Sequence, residues 1–301
     1  MKVLITGGSG LIGTELTKLL KSREIEVVWL SRTPGIKNGI TTYAWDYKKN
    51  FIDHAAFESV THIVHLAGAG VFDKRWSSAY KKEIYDSRIR TTQLLVKATA
   101  DINSIQAFIC GTAIGVYGNS MNEVLLNEND SAGADFLARV TKDWELASKP
   151  LEERNIRTVK IRTGIVLAKQ TGALPEMIKP IKLGIGSPLA SGKQIISWIH
   201  IEDLCEIFTR AIIDPTIFGI FNGVAPHPVS NATFTKAAAD ILGKRLLFPN
   251  VPKFVMNMVL GKEKAASVVE GIAASASKIQ KQGFVFKYPN IKEALTDLLL
   301  L

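Results

Sequence analysis

The sequence predicts an α/β protein: a doubly wound parallel sheet flanked by helices, with a smaller, mostly helical C-terminal lobe. Three observations carry that reading. Residues 2–13 run from an unbroken apolar strand (Val3-Leu4-Ile5) through a glycine-rich turn into a helix with Leu16, Leu19 and Leu20 on one face. Strand-like and helix-like segments then alternate through the first two-thirds of the chain, the rhythm of a parallel sheet with right-handed crossovers. After Val166 the texture changes to proline- and glycine-broken sequence, and then to helix.

Taken in order, strands are expected at 2–5, 26–30, 42–45, 62–66, 107–111 and 158–166, and helical periodicity covers 11–21, 79–100 and 136–154. Between 172 and 192, Pro175, Pro180 and Pro188 with several glycines predict a loop and a short helix outside the sheet. Residues 195–201 (IISWIHI) and 219–224 (GIFNGV) read as later strands, and the chain from Phe234 onwards as helices, with a break at Tyr288-Pro289 before a final short helix. The expected organisation is a Rossmann-type core over 1–167, to which strands from about 195–224 return, and an interleaved substrate lobe over 168–301. No internal repeat or low-complexity segment interrupts it.

Composition narrows the class. The chain has 301 residues, 47% hydrophobic and 22% charged, an ordinary globular balance. No apolar run reaches the roughly 18–20 residues of a membrane span. The first strand begins at residue 2, which leaves no room for a signal peptide, and Cys110 and Cys205 both sit in apolar settings. These features predict a cytoplasmic protein without a disulfide framework. The net charge of +9 comes from lysines and arginines spread along helices, without runs or aromatic interleaving. That pattern predicts a basic surface attractive to anionic small molecules, not a nucleic-acid or membrane binder. His54, His62, His65 and His227 have no acidic or thiol partners at ligand spacing, so no metal site is expected. A small-molecule substrate is the expected partner, with a homodimer as the assembly allowed for.

The turn Gly7-Gly8-Ser9-Gly10-Leu11-Ile12-Gly13 carries the chemistry. Between a strand and a helix, such glycines permit a tight turn, close approach of backbone to a pyrophosphate, and closure of helix on strand. Phosphates would lie on the helix N-terminus at Gly10, Leu11, Ile12 and Gly13, with Gly7 shaping the turn. The second strand runs into Ser31-Arg32, where an acid that binds a ribose 2′-hydroxyl is usual. A guanidinium with a neighbouring hydroxyl suits a 2′-phosphate, so NADP is favoured over NAD. Asp46 could accept from the adenine amino group. Leu66-Ala67-Gly68, closing the fourth strand, would let backbone pass close to the cofactor.

These residues resemble the extended short-chain dehydrogenase/reductase superfamily, and within it an atypical group of NAD-dependent epimerase/dehydratase-like proteins of unassigned substrate. The resemblance covers nearly the whole chain. It rests on LAGAG at 66–70, RW at 75–76, DSRIRTT at 86–92, GTAIGVYG at 111–118, KDWE at 142–145, IRTGIVL at 161–167, SWIHIEDL at 197–204 and the tail motifs at 248–262 and 283–295. It implies a nicotinamide cofactor and a sugar-like or nucleotide-like substrate.

In that superfamily a tyrosine four positions before a lysine moves the proton while the cofactor moves hydride. Here Lys142 is present but Ala138 stands in the tyrosine's place, and no tyrosine occurs between Tyr117 and Tyr288. Thr112 matches the hydroxyl that polarises a substrate oxygen, Lys142 would hold the nicotinamide ribose, and Thr163 of IRTGIVL joins the cofactor-binding set. Tyr117 is the replacement candidate for the proton. Arg75, Trp76 and Arg88 are candidates for an anionic substrate, Arg88 replacing an asparagine frequent in the family. His200 is expected to cap the helix beginning near Glu202. The leading reading is an NADP-dependent oxidoreductase or epimerase-like enzyme with a non-standard proton donor. A catalytically silent NADP-binding sensor or scaffold is the alternative. A conventional nucleotide-sugar epimerase or dehydratase, which needs the tyrosine, comes last.

Overall fold

The computed structural model describes residues 1–119 and 124–300. Its first part holds β1 (Lys2–Thr6), α1 (Leu11–Ser22), β2 (Glu26–Ser31), β3 (Gly35–Lys37), β4 (Ile40–Asp46), β5 (Phe51–Ile52), β6 (His62–His65), α2 (Ser78–Ala98) and β7 (Ala107–Ala113). There follow α3 (Phe136–Ala147), α4 (Lys149–Glu153), β8 (Arg157–Thr163), β9 (Ile165–Leu167), α5 (Ala173–Lys182), β10 (Ile195–Ile196), β11 (Trp198–His200) and α6 (Ile201–Ile213). The chain finishes with β12 (Gly219–Gly223), β13 (Val229–Ser230), α7 (Asn231–Ile241), α8 (Lys253–Leu260), α9 (Lys262–Val269), α10 (Ser277–Lys281) and α11 (Ile291–Leu300).

One large sheet dominates, in the order β12-β8-β7-β6-β1-β2-β4-β3, with β5 paired to β4. β1 is parallel to β2 on one side and to β6 on the other, so the winding reverses beside β1. This is the topological switch point of a doubly wound sheet, and the crevice beyond its carboxyl ends is where such folds take ligands. Val3, Leu4, Ile5, Ile63 and Val64 are buried in the two central strands, and Leu16 and Leu20 of α1 are buried with them. Each such side chain contributes about 1.5–3 kcal/mol by leaving water.

The chain divides into two compact units of nearly equal length, Met1–Thr112, Arg139–Ile161 and Cys205–Phe221 against Ala113–Ala138, Arg162–Leu204 and Asn222–Leu301. The chain leaves the first unit at the carboxyl ends of β7, β8 and β12, where doubly wound folds place their variable loops. The second unit has its own core, in which Leu174 and Ile178 of α5, Trp198, Phe234 and Ala238 of α7, and Leu295 and Leu298 of α11 are buried together.

Departures from the expected strands and helices have local causes. The strand expected at 158–166 breaks at Gly164, where a Cβ would stand 2.5 Å from the Ser197 carbonyl oxygen. The chain then pairs β9 with β11, Ile165 opposite Trp198, so residues 195–200 do not return to the large sheet, whereas β12 does. The helix expected over 136–154 is split into α3 and α4, with Pro150 in the first turn of α4, where a missing N–H costs nothing. Strands β3 and β5 were not expected; both add antiparallel to β4.

The turn after β1 explains its glycines one by one. Gly7 has φ +70°, and a Cβ there would lie 2.9 Å from the Leu66 carbonyl carbon. A Cβ on Gly8 would strike the Trp29 ring at 2.4 Å, and one on Gly13 would lie 2.3 Å from the Gly7 carbonyl oxygen. We expect Gly13→Ala to destabilise the fold by about 1–3 kcal/mol or more, since backbone must shift to admit the methyl group; urea denaturation measures it.

Candidate functional site

At the switch point the ends of β1 and β6 are joined by a buried hydrogen-bond chain. The Thr6 hydroxyl accepts the N–H groups of Leu66 and Ala67, each at 3.2 Å, and lies 2.7 Å from Nδ1 of His65. With both acceptor positions used, the hydroxyl donates to Nδ1. That leaves the imidazole proton on Nε2, 3.2 Å from the Thr91 hydroxyl, which in turn donates to the Ser87 carbonyl at 2.7 Å. Burial lowers the His65 pKa to about 3, so the ring is neutral.

The glycine turn opens beside this chain. Gly10 precedes α1 with extended backbone, donates its N–H to the Gly7 carbonyl at 3.0 Å, and is exposed. Among the described residues, a Cβ built at Gly10 has one close neighbour, the Gly7 carbonyl oxygen at 3.2 Å. The first N–H groups of α1 have no intrahelical acceptor, as in any helix, and no acid stands in its first turn. A negative group is therefore favoured there by both geometry and dipole. Leu11 and Ile12 are half-buried and Gly13 buried in the first turn of α1.

At the end of β2, Arg32 is exposed and Ser31 half-buried. Lys37 reaches back from β3 and donates to the Ser31 hydroxyl at 2.9 Å. Asp46, at the end of β4, accepts the N–H of Lys48 at 2.9 Å and so closes its own turn.

The loop after β6 is held from below. Ala69 N–H donates to the Ser87 hydroxyl at 2.9 Å, and Arg88 Nη1 donates to the carbonyls of Ala69 and Ile84, both at 3.0 Å. The Arg88 guanidinium lies 5.2 Å from the Trp144 ring centroid, a cation–π stack, and burial lowers its pKa to about 10, leaving it charged at neutral pH. A Cβ on Gly68 would meet Arg88 Cζ at 3.1 Å, which keeps that position small. Arg75 is exposed, while the Trp76 indole donates to the Val71 carbonyl at 2.8 Å and closes its loop.

Of the catalytic candidates, Thr112 and Lys142 belong to the first unit and Tyr117 to the second. Thr112 is buried at the end of β7 and donates to the Glu145 carboxylate at 3.2 Å, while Lys142 is exposed on α3. Ala138 is 0% exposed, so a methyl group fills the space where the family tyrosine would begin. Tyr117 is 7% exposed; its hydroxyl donates to Asn222 Oδ1 at 2.8 Å and accepts from Arg162 Nη1 at 3.1 Å. Burial pushes its phenol pKa up, with Arg162 opposing. Thr163, half-buried, ends β8 in the second unit. His200 accepts the Glu202 N–H at 3.1 Å and lies 3.2 Å from Asp297, the capping role expected of it. Among the described residues, no cluster of three or more histidines, cysteines or acids is spaced to hold a metal.

Sequence reasoning missed Thr6, His65 and Thr91, whose partners lie 59 and 26 positions apart. It missed Trp29, whose indole donates to Thr17 at 3.0 Å while pressing on Gly8. It also missed Glu145 and Arg162. Only Lys37 left a local signal, the Asn38-Gly39 pair that follows it.

The architecture and the glycine cradle define a doubly wound dinucleotide-binding fold. Residues 3–222 match the NAD dependent epimerase/dehydratase family, and residues 251–298 match a domain of unknown function, DUF1731. The chain belongs to that epimerase/dehydratase family and, within the extended short-chain dehydrogenase/reductases, to its atypical members of unassigned substrate. It is 34% identical over 301 residues to the human epimerase family protein SDR39U1, with 99% of each chain covered. The crystal structure of that human protein (isoform 2) with NADPH superposes with a TM-score of 0.87 at 32% identity, again over 99% of each chain. The epimerase family protein Mb2239 of Mycobacterium bovis is 35% identical over 295 residues, 97% of this chain and 96% of its own. UDP-glucose 4-epimerase of Thermus thermophilus shares the fold alone, at 17% identity and a TM-score of 0.79 over 99% of this chain and 98% of its own.

The His65 environment sets a pH dependence. The folded ring takes a proton only near pH 3, the unfolded ring near 6.5, so unfolding takes up a proton between those values and stability falls as pH drops through that window. The expected loss from this group is about 1.4 kcal/mol per pH unit below 6.5. Urea titrations at pH 7 and pH 5 should show it, with a shallower dependence in His65→Gln.

Proposed function

We propose that the chain binds NADP(H) across its switch point and uses it as an oxidoreductase or epimerase-like enzyme on a small carbonyl or sugar-like substrate. The observation that carries the reading is the pairing of an acid-free, glycine-lined helix N-terminus with Arg32 at the end of β2, where an NAD-specific site has a carboxylate. The NADPH bound by the human relative supports it. Gly7, Gly10, Leu11, Ile12 and Gly13 would receive the pyrophosphate, Ser31 and Arg32 the 2′-phosphate, Asp46 the adenine edge, and Leu66, Ala67, Gly68 and Thr163 the remaining cofactor contacts. A cytoplasmic setting fits two buried cysteines outside any disulfide, Cys110 and Cys205, and no described helix is long and apolar enough to cross a membrane.

When bound, the nicotinamide supplies or accepts hydride. Lys142 would hold its ribose hydroxyls by charge and reach. Thr112 would polarise the substrate oxygen, which requires its hydroxyl to turn from Glu145. Tyr117 would carry the proton: its raised pKa keeps it protonated at neutral pH, and Arg162 stabilises the phenolate once the proton has left. Arg75, Trp76 and Arg88 would face an anionic part of the substrate.

A second reading, an NADP(H)-binding sensor without turnover, is favoured by two observations. Ala138 fills the usual tyrosine position, and the Tyr117 hydroxyl already has a donor and an acceptor.

Two measurements test these readings. NADPH should bind more tightly than NADH, and Gly10→Val should still fold cooperatively yet lose that binding, because its side chain occupies the pyrophosphate's space. Retained affinity in Gly10→Val would remove the cradle from the site. On a panel of carbonyl compounds and nucleotide sugars, Tyr117→Phe should lower turnover at least tenfold, toward the range of about 10²–10⁴-fold supplied by general acid–base catalysis, with NADPH affinity nearly unchanged. Unchanged turnover excludes Tyr117, and no turnover on any substrate despite tight NADPH binding favours the sensor.

A further inference from the structure

The short strand β3 has no place in the alternating βα pattern, and its position accounts for a residue so far unassigned. After β2 the chain passes Pro34, forms β3, turns at Asn38 (φ 51°) and Gly39 (φ 71°), and pairs back on β4 with Lys37 opposite Ile40. This tight hairpin sets the Lys37 ammonium 2.9 Å from the hydroxyl of Ser31, next to Arg32. Among the described residues neither Lys37 nor Arg32 forms an ion pair. Two cationic residues without an ion-pair partner among the described residues therefore stand beside Ser31, Arg32 as its neighbour in the chain and Lys37 through its hydrogen bond.

The donors on offer suit one anion in particular. The Ser31 oxygen accepts from Lys37 and, at 3.4 Å, from the Thr33 N–H, so its own O–H is left to donate outward. Lys37 has spent one of its three ammonium donors. Arg32 makes no hydrogen bond among the described residues. Hydroxyl, ammonium and guanidinium together match the three acceptor oxygens of a phosphate monoester. We propose that Lys37, carried on the β3 hairpin, is a specificity-determining residue that shares the ribose 2′-phosphate with Arg32 and Ser31. The proposal rests on the NADP(H) reading and assigns its selectivity to a second cation outside the βα turn.

The test is equilibrium binding, read by calorimetry, of NADPH, NADH, adenosine 2′,5′-bisphosphate and 5′-AMP to wild type, Arg32→Ala, Lys37→Gln and Lys37→Arg. Lys37→Gln should weaken NADPH and the bisphosphate by about tenfold, as for loss of one charge-assisted hydrogen bond, and leave NADH and 5′-AMP within twofold. Lys37→Arg should recover most of the loss, since it restores charge at the same place, and matched melting curves show that the hairpin is intact. The proposal is overturned if wild type prefers NADPH and Arg32→Ala weakens it, while Lys37→Gln keeps the wild-type ratio of NADPH to NADH. If wild type binds NADPH and NADH equally, the NADP(H) reading falls and takes the proposal with it.

Discussion

The close approach of two strand ends is the constraint on which the first unit depends. β1 and β6 run side by side, and after each the chain must turn away in opposite directions without leaving backbone groups unpaired in a dry interior. One hydroxyl resolves this: Thr6 takes two N–H groups from the departing β6 chain and gives its proton to His65. The same crowding forces Gly7 to have no side chain, because a Cβ there would press on Leu66. The glycine turn and the β6 loop are thus placed by one local network.

Around that point the structure is layered by size. Trp29 presses on Gly8 and bonds to Thr17, which itself donates to the Gly13 carbonyl at 2.6 Å, so β2, the turn and α1 are locked together. On the other side Arg88 ties the β6 loop to α2 and stacks on Trp144 of α3. A buried guanidinium is costly to desolvate, and it is tolerated here because two carbonyls and an aromatic face surround it.

What was legible in the sequence follows from distance along the chain. The strand, glycine turn and helix at residues 2–22 are a local pattern, and so is Arg32 at the end of the next strand. The hydrogen bonds that shape the crevice join residues far apart and left no local trace. His65 read only as a histidine without partners at ligand spacing, and Glu145 only as the last residue of KDWE at 142–145. The single strand expected at 158–166 failed at Gly164, where tertiary crowding outweighed β propensity. The β3 hairpin was readable from Asn38-Gly39, a pair whose left-handed backbone matches a two-residue turn. The division into units was not readable, because it depends on where the chain crosses and not on where composition changes.

Those crossings have a consequence for how this architecture can change. The chain passes between the two units five times. No single cut therefore releases either unit as a continuous piece, and no simple exchange of gene segments could graft the second unit onto a different nucleotide-binding core. Variation in the second unit must instead accumulate piecemeal, in the three excursions beyond β7, β8 and β12, the first two of which are constrained to return to the first unit, at Arg139 in α3 and Cys205 in α6.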